Sequence, residues 1–360
     1  MSPPPLTTPL TTLLKIQHPI MLAGMDQVAG PELAAAVTNA GGFGTLGGAR
    51  YSPKMLSEMI AEMKELLKDK NAPFGVDLLL PKVGEGARKT NYDYTGGHLD
   101  EMLDIIISSG ATLFVSAVGV APQWAIDKLH KAGVLYGNMI GHPKHVHYAC
   151  RAGADIIIAQ GGEAGGHTGD IATSVLIPAC ADACKQYKSP ITGQPVTLVA
   201  AGGINDGRSV ASALMLGASG VWIGTRFIVS VESKAPKGFK EEVIKANYDS
   251  WIKSTIWSGR PLRALNNPYI QDWETNRQAE IKELTAKGVV PLVHELDKLH
   301  EAGKLTDEIE DAAALRPIGV VSGSVNKAGQ TAREIVDEIV QETVQVLNSA
   351  SLFVNPASKL

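Results

Sequence analysis

The stretch Thr197-Leu-Val-Ala-Ala-Gly-Gly-Ile-Asn-Asp-Gly-Arg-Ser-Val-Ala-Ser-Ala-Leu-Met-Leu-Gly-Ala-Ser-Gly-Val-Trp-Ile-Gly224 carries the fold in miniature. A short apolar run (Thr197–Ala201) ends in two glycines. A helical-period segment (Asp206–Leu216) follows, and a second apolar run (Val221–Gly224) closes the unit. Apolar runs of four to eight residues bounded by glycine read as buried strands, and a segment with apolar positions three or four apart reads as a helix. A strand, a helix and a strand in that order predict parallel pairing through a right-handed crossover.

Working toward the N-terminus, the unit repeats. Apolar runs occur at Pro19–Ala23, Phe43–Leu46, Phe74–Leu79, Leu113–Val118, Val134–Ile140 and Asp155–Gln160, which with the two above makes eight. Between them Pro53–Leu67, Leu99–Ser108 and Pro122–Ala132 read as helices. Eight such units at a regular spacing favour a closed (β/α)8 TIM barrel over an open sheet. Beyond Phe227 the alternation stops. Residues 228–317 are more charged and carry helical stretches at Phe239–Ser254, Trp273–Ala286, Val293–Ala302 and Asp307–Ala314, so they read as a mostly helical insert domain over one mouth of the barrel. The segment Lys327–Leu347 resumes an amphipathic period and is expected to be the last barrel helix. The expected division is a disordered lead (1–15), a barrel (16–227 plus 318–350), the insert (228–317) and a C-terminal tail (351–360).

Composition narrows the partners. There are 33 Lys+Arg against 37 Asp+Glu, a formal charge of −4, and basic residues are not clustered, which argues against nucleic acid. No apolar run approaches a membrane span. The three cysteines, Cys150, Cys180 and Cys184, suit a reducing compartment, and Cys180 and Cys184 at i, i+4 read as packed small hydrophobes. His142, His145 and His147 are close in sequence, but Pro143 signals a helix start and i, i+2 residues diverge on a helix, so no metal site is expected.

Glycine is in excess: 37 residues, about one in ten. Many sit at the ends of the expected strands: Gly24, Gly47-Gly48, Gly119, Gly141, Gly202-Gly203 and Gly224. One such glycine is an ordinary tight turn. Repeated around the mouth where barrel chemistry sits, they let a ligand approach the backbone. Gly202-Gly203 before a helix, and Gly224-Thr225-Arg226, resemble the loops after strands seven and eight where these barrels hold a phosphate. By contrast, Gly42-Phe-Gly-Thr-Leu-Gly47 matches the dinucleotide pattern G-x-G-x-x-G only literally, because a helix precedes it and the expected strand lies within it. The sixth run leads into Gln160-Gly-Gly-Glu-Ala-Gly-Gly-His167-Thr-Gly169, a glycine-rich loop with one histidine, a side chain suited to proton transfer at neutral pH. Tyr92 and Tyr94, in the long stretch Pro81–Gly97, either close over a substrate or decorate a surface loop.

Taken in order, Pro19-Ile-Met-Leu-Ala-Gly-Met25, Phe74-Gly-Val-Asp77, Gln160…Glu163-Ala-Gly-Gly-His167-Thr-Gly, Ala201-Gly-Gly-Ile204 and Gly224-Thr-Arg-Phe227 resemble the nitronate monooxygenase family, formerly the 2-nitropropane dioxygenases. The loop alone also resembles flavin-dependent enoyl-acyl-carrier-protein reductases. The resemblance implies bound FMN. By position it sets Ala23, Gly24 and Met25 against the isoalloxazine, with Asp77 and Gln160 hydrogen-bonding the ring or ribityl chain and Gly165 approaching it. Gly202, Gly203, Gly224 and Thr225 would hold the phosphate. His167 would be the catalytic residue, acting as base on a nitroalkane or anchoring the nitronate anion during oxidation by molecular oxygen. Many members have Asn where this chain has Asp77, and a carboxylate beside a flavin and an anionic substrate repels charge unless protonated or paired. The implied reaction turns an alkyl nitronate into a carbonyl compound and nitrite. The alternatives are an NAD(P)H-dependent FMN reductase acting on quinones or activated alkenes, and a non-catalytic flavin- or phosphate-binding barrel. The final Ser358-Lys359-Leu360 matches the peroxisomal address, so recognition by the peroxisomal import receptor is expected.

Overall fold

The computed structural model describes residues 5–353, so the tripeptide Ser358-Lys359-Leu360 lies outside the described residues. Strands β1 (Ile20–Leu22), β2 (Gly44–Gly47), β3 (Phe74–Leu79), β4 (Leu113–Ala117), β5 (Leu135–Ile140), β6 (Ile156–Gln160), β7 (Gly166–His167), β8 (Thr197–Ala201), β9 (Gly220–Ile223), β10 (Trp251–Ser254) and β11 (Leu262–Leu265) fall into two sheets. Eight form one parallel sheet in the order β1-β9-β8-β6-β5-β4-β3-β2. Its two edges meet: Met21 bridges Phe43, and the Phe43 N–H donates to the Ile20 carbonyl at 2.8 Å. The sheet is therefore a closed (β/α)8 barrel ringed by helices.

Strand periodicity decides what faces the axis. Met21, Leu113, Val115, Leu135, Ile156, Ile158, Val199 and Trp222 form one buried cluster inside the barrel. Their sequence neighbours Ile20, Leu22, Phe114, Ile157, Leu198, Val221 and Ile223 pack outward under the helices. This is the inside–outside alternation that a two-residue period demands. Carried one step further toward the C-terminal mouth, the same alternation turns Ala23, Asp77, Gln160 and Ala201 inward, so these four make the floor of the upper cavity.

The lead is not disordered where it is described. Pro9–Leu14 is a helix whose N-cap Thr8 makes a capping box with Thr11, with Pro9 at the first position. Leu10 and Leu14 join the interior cluster and plug the lower end of the barrel. A Cβ on Gly220 would come within 2.2 Å of the Leu10 side chain, so β9 carries glycine there to admit the plug. An i, i+4 leucine pair buried against an apolar barrel floor outweighs the Pro/Thr-rich composition that reads as a free lead.

The insert also differs from its reading. The helix expected over Phe239–Ser254 is Lys237–Lys245, and Trp251–Ser254 is strand β10. The cause is local: the Asn247 side chain accepts from the Asp249 N–H at 2.8 Å and from the Ser250 hydroxyl at 3.1 Å, a turn that competes with helix. β10 and β11 form an antiparallel hairpin, and β11 pairs in turn with β7, matching Leu262 to His167 and Arg263 to Gly166. Helices Pro268–Asn276, Gln278–Lys287, Pro291–Glu301 and Asp307–Ala313 pack around Trp273. The last helix, Ala332–Ala350, returns to the barrel against Gly207–Met215 and Pro31–Asn39. No helix among the described residues is long and apolar enough to cross a membrane.

Candidate active site

The glycine-rich loop is held open at the mouth by its neighbours. Gln160 donates from Nε2 to the His167 carbonyl at 2.7 Å, closing the loop back onto its own strand. Arg263 of β11 is buried and donates from Nη1 to the Gly162 and Ala164 carbonyls, the latter at 2.8 Å, while its guanidinium lies over the Trp251 ring at 4.2 Å. Glu163 turns the other way and accepts from the Thr173 N–H and hydroxyl, at 2.9 and 2.8 Å. From below, residues 318–320 press on the loop: Val320 N–H donates to the Glu163 carbonyl at 2.9 Å, and a Cβ on Gly165 would stand 2.6 Å from the Ile318 carbonyl carbon. Gly165 is therefore demanded by close approach of the chain itself.

These contacts aim His167. Its Nε2 lies 2.8 Å from the hydroxyl of Ser258, in the turn between β10 and β11. Nδ1 has no hydrogen-bond partner among the described residues. The Arg260 N–H points at Ser258 Oγ from 3.4 Å. Burial pushes the His167 pKa down to about 4, and the nearby Arg260 and Arg50 guanidiniums add to the shift. The imidazole is neutral at pH 7.

The residues around the mouth converge as a second group. Asp77 is buried on the inner face of β3, and its Oδ1 has no partner among the described residues. Burial raises its pKa well above the usual carboxyl value, which favours the neutral acid over the carboxylate. A Cβ on Gly24 would lie 2.3 Å from Asp77 Oδ2, which leaves glycine as the residue that fits. Gly224 faces Met25 Sδ and Ala23 Cβ at 3.4 and 3.5 Å from its own Cβ position, joining the ends of β1 and β9. Gly202 (φ +93°) and Gly203 (φ +72°) adopt the left-handed backbone beside Gly161, Ala164 and Glu163. Thr225 is buried and its oxygen accepts from the Gly319 N–H at 3.0 Å, which leaves its O–H to donate. Ala23, Gly24, Met25, Asp77, Gln160, Gly165, Gly202, Gly203, Gly224 and Thr225 thus share one end of the barrel with His167. A buried acid with an orphaned oxygen at the floor and a glycine cradle at the rim suit a flat polar ring carrying a phosphate arm. Gln160 is the partial exception, since its amide nitrogen is committed to the loop.

Other features lie apart. His142 caps the helix Pro143–Ala152, accepting from the Lys144 N–H at 3.1 Å. The three cysteines are buried, and the Cys180 thiol is pushed up to about 12 by burial. Among the described residues no group of His, Cys, Asp and Glu is placed to hold a metal ion.

Sequence reading missed Ser258, Arg260, Arg50 and Arg263. Ser258 and Arg260 carry no strand-end glycine signature, whereas Arg50 follows Gly47-Gly48 at the end of β2. Ser258-Gly-Arg-Pro261 is visible only as a turn, and nothing in its spacing says that it folds back over residue 167. The route is tertiary: Gly259 (φ +67°) is pressed against Thr90, Arg88 reaches the Gly259 carbonyl at 3.4 Å, and Arg260 Nε reaches Asn91 Oδ1 at 3.1 Å. The long stretch after β3 is thus the seat of the insert. Backbone strain collects at the same mouth. Asp26, Arg50 and Val118, just after β1, β2 and β4, all have positive φ (41°, 63° and 71°), and a β-branched residue such as Val118 seldom accepts it.

The nitronate monooxygenase family model matches residues 7–347. A Mycobacterium tuberculosis protein named (3aS,4S,5R,7aS)-5-hydroxy-7a-methyl-1-oxo-octahydro-1H-indene-4-carboxyl-CoA dehydrogenase is 35% identical over 275 residues, 76% of this chain and 70% of its own. A probable nitronate monooxygenase of Staphylococcus saprophyticus is 31% identical over 300 residues, covering 74% and 80%. Among solved structures, FabK from Thermotoga maritima superposes with a TM-score of 0.77 at 28% identity, covering 97% of this chain and all of its own. The nitroalkane oxidase of Streptomyces ansochromogenes superposes with a TM-score of 0.75 at 25% identity, covering 95% and 99%. With barrel, loop and histidine in place and the model matched over nearly its whole length, this chain is an oxidoreductase that belongs to the nitronate monooxygenase family.

Proposed function

We propose that the protein binds FMN at the barrel mouth and oxidises alkyl nitronates, formed from nitroalkanes, with molecular oxygen to a carbonyl compound and nitrite. The observation that carries this reading is His167: a neutral, half-buried imidazole fixed through Nε2 to Ser258 while Nδ1 has no partner among the described residues. A neutral imidazole is a base. With Ser258 Oγ accepting the Nε2 proton, Nδ1 holds the lone pair that takes the α-proton of a nitroalkane; this tautomer is assigned from the hydrogen-bond network. FMN, when bound, supplies the electron acceptor and the site at which oxygen reacts. Ala23, Gly24 and Met25 would give it a flat wall, Asp77 in its protonated form would donate from the floor, and Gly202, Gly203, Gly224 and Thr225 would hold the phosphate. The turn of the β10–β11 hairpin covers Nε2 of the histidine through Ser258.

The likeness to a CoA-ester dehydrogenase and to FabK supports a second reading, an NAD(P)H-dependent reductase of quinones or activated alkenes on the same FMN. Anaerobic mixing separates the two. Bleaching of the FMN absorbance by ethyl nitronate, followed in air by nitrite release, is the expected outcome. Bleaching by NADH with no response to the nitronate would replace the oxygenase with the reductase. A protein that takes up no FMN would remove both.

A further inference from the structure

The mouth holds more positive charge than its acids neutralise. Arg260 comes from the insert, Arg50 from the end of β2 and Arg88 from the stretch after β3, and among the described residues no carboxylate lies within 4 Å of any of the three. Arg260 is fixed as a tool is fixed in a holder: Nε donates to Asn91 Oδ1 at 3.1 Å and Nη1 to the Val118 carbonyl at 3.4 Å, while Nη2 has no hydrogen bond among the described residues. Its backbone is two residues from Ser258, the side chain bonded to His167. Arg50 has a left-handed backbone (φ +63°), is exposed, and faces the exposed Asp26 beyond ion-pair distance. Arg88 sits behind Arg260, on the Gly259 carbonyl at 3.4 Å. Guanidiniums gathered without acids repel one another, and an incoming anion relieves that repulsion. A planar guanidinium also matches the two oxygens of a nitronate or carboxylate.

We propose that Arg260 and Arg50, in place of a charged His167, bind the anionic group of the substrate, so that the insert makes the site selective for anions. The proposal rests on the nitronate reading for its substrate. It divides the work: two permanent cations hold the negative oxygens, and the histidine stays neutral to move a proton. It also assigns a function to the insert, whose turn delivers both Ser258 and Arg260 to one point.

The test compares the FMN-loaded wild type with Arg260→Met, Arg260→Lys and Arg50→Met on two substrates of equal size, ethyl nitronate and un-ionised nitroethane in weakly acid buffer. Losing one charge-assisted hydrogen bond is expected to raise KM for the nitronate about ten- to a hundredfold in Arg260→Met, with kcat changed by less than about threefold. Nitroethane, which binds uncharged, should change less than about threefold in KM, and Arg260→Lys should recover part of the nitronate KM. Equal losses on both substrates, or an unchanged nitronate KM in both Met variants, would overturn the proposal. Arg50→Met lies on another element and gives a second reading if Arg260→Met does not fold. If the wild type fails to oxidise nitronate, the nitronate reading falls by itself. Anion binding is then followed with nitrate, a planar inert anion, through the flavin absorbance: a Kd weakened about tenfold or more in either Met variant supports the arginine pair, and an unchanged Kd in both refutes it.

Discussion

His167 and Asp77 are titratable groups moved in opposite charge senses by one cause. Burial disfavours the charged form, so it lowers the imidazole pKa and raises the carboxyl pKa. His167→Ala should lower kcat/KM for a nitroalkane about 10²- to 10⁴-fold, read as nitrite release, because a general base is lost. With nitroethane as substrate, activity should hold to unusually acid pH, since the base is protonated only near its pKa of about 4. Arg260→Met removes a neighbouring cation and should move that acid limb to higher pH; a limb that does not move would mean that Arg260 is remote from the base. For Asp77 the sign runs through stability. A folded pKa above the unfolded one favours the protonated carboxyl, so the acid costs stability as pH rises above the unfolded value near ~3.9. Asp77→Asn, neutral at every pH, should therefore raise Tm at pH 8 and give almost no gain below pH 4 in thermal melts of the FMN-free protein.

The glycine-rich loop between β6 and β7 is an element with no helix or sheet ladder of its own until β11 pairs with it. Its shape is set from outside by Gln160, Arg263 and the 318–320 segment. Gly165→Ala places a Cβ 2.6 Å from a backbone carbon that can yield only by moving that segment, and it should lower both Tm and FMN affinity, measured by melting and fluorescence titration. The plug helix Pro9–Leu14 is a second such element. Leu10 is fully buried in the barrel interior, so Leu10→Ala should cost about 2–5 kcal/mol in urea unfolding. A cost near zero would restore the free lead suggested by the Pro/Thr-rich composition. Both elements were hard to read for one reason: each depends on a partner far away in the chain. The capping box Thr8–Thr11 and the pair Leu10/Leu14 are local, but the barrel interior that receives the leucines is not.

At the scale of the whole molecule, the barrel was legible because its information is local and repeated. Each apolar run, each glycine at a strand end and each helical period can be recognised within about ten residues, and eight repeats leave one economical closure. The strand-end glycines of the candidate site came with it and mark where a ligand can approach, whereas Asp77 and Gln160 entered through the resemblance to the family. The glycine excess and His167 were therefore determined by the sequence alone. Tertiary structure alone decided what surrounds that histidine. Ser258 and Arg260 lie more than ninety residues from it and approach through an insert whose hairpin borrows β7 as its third strand. The physical reason is that strand periodicity is written in each neighbouring pair of residues. The charge and tautomer of His167, by contrast, follow from burial and from guanidiniums brought in by long-range packing, for which no local pattern exists.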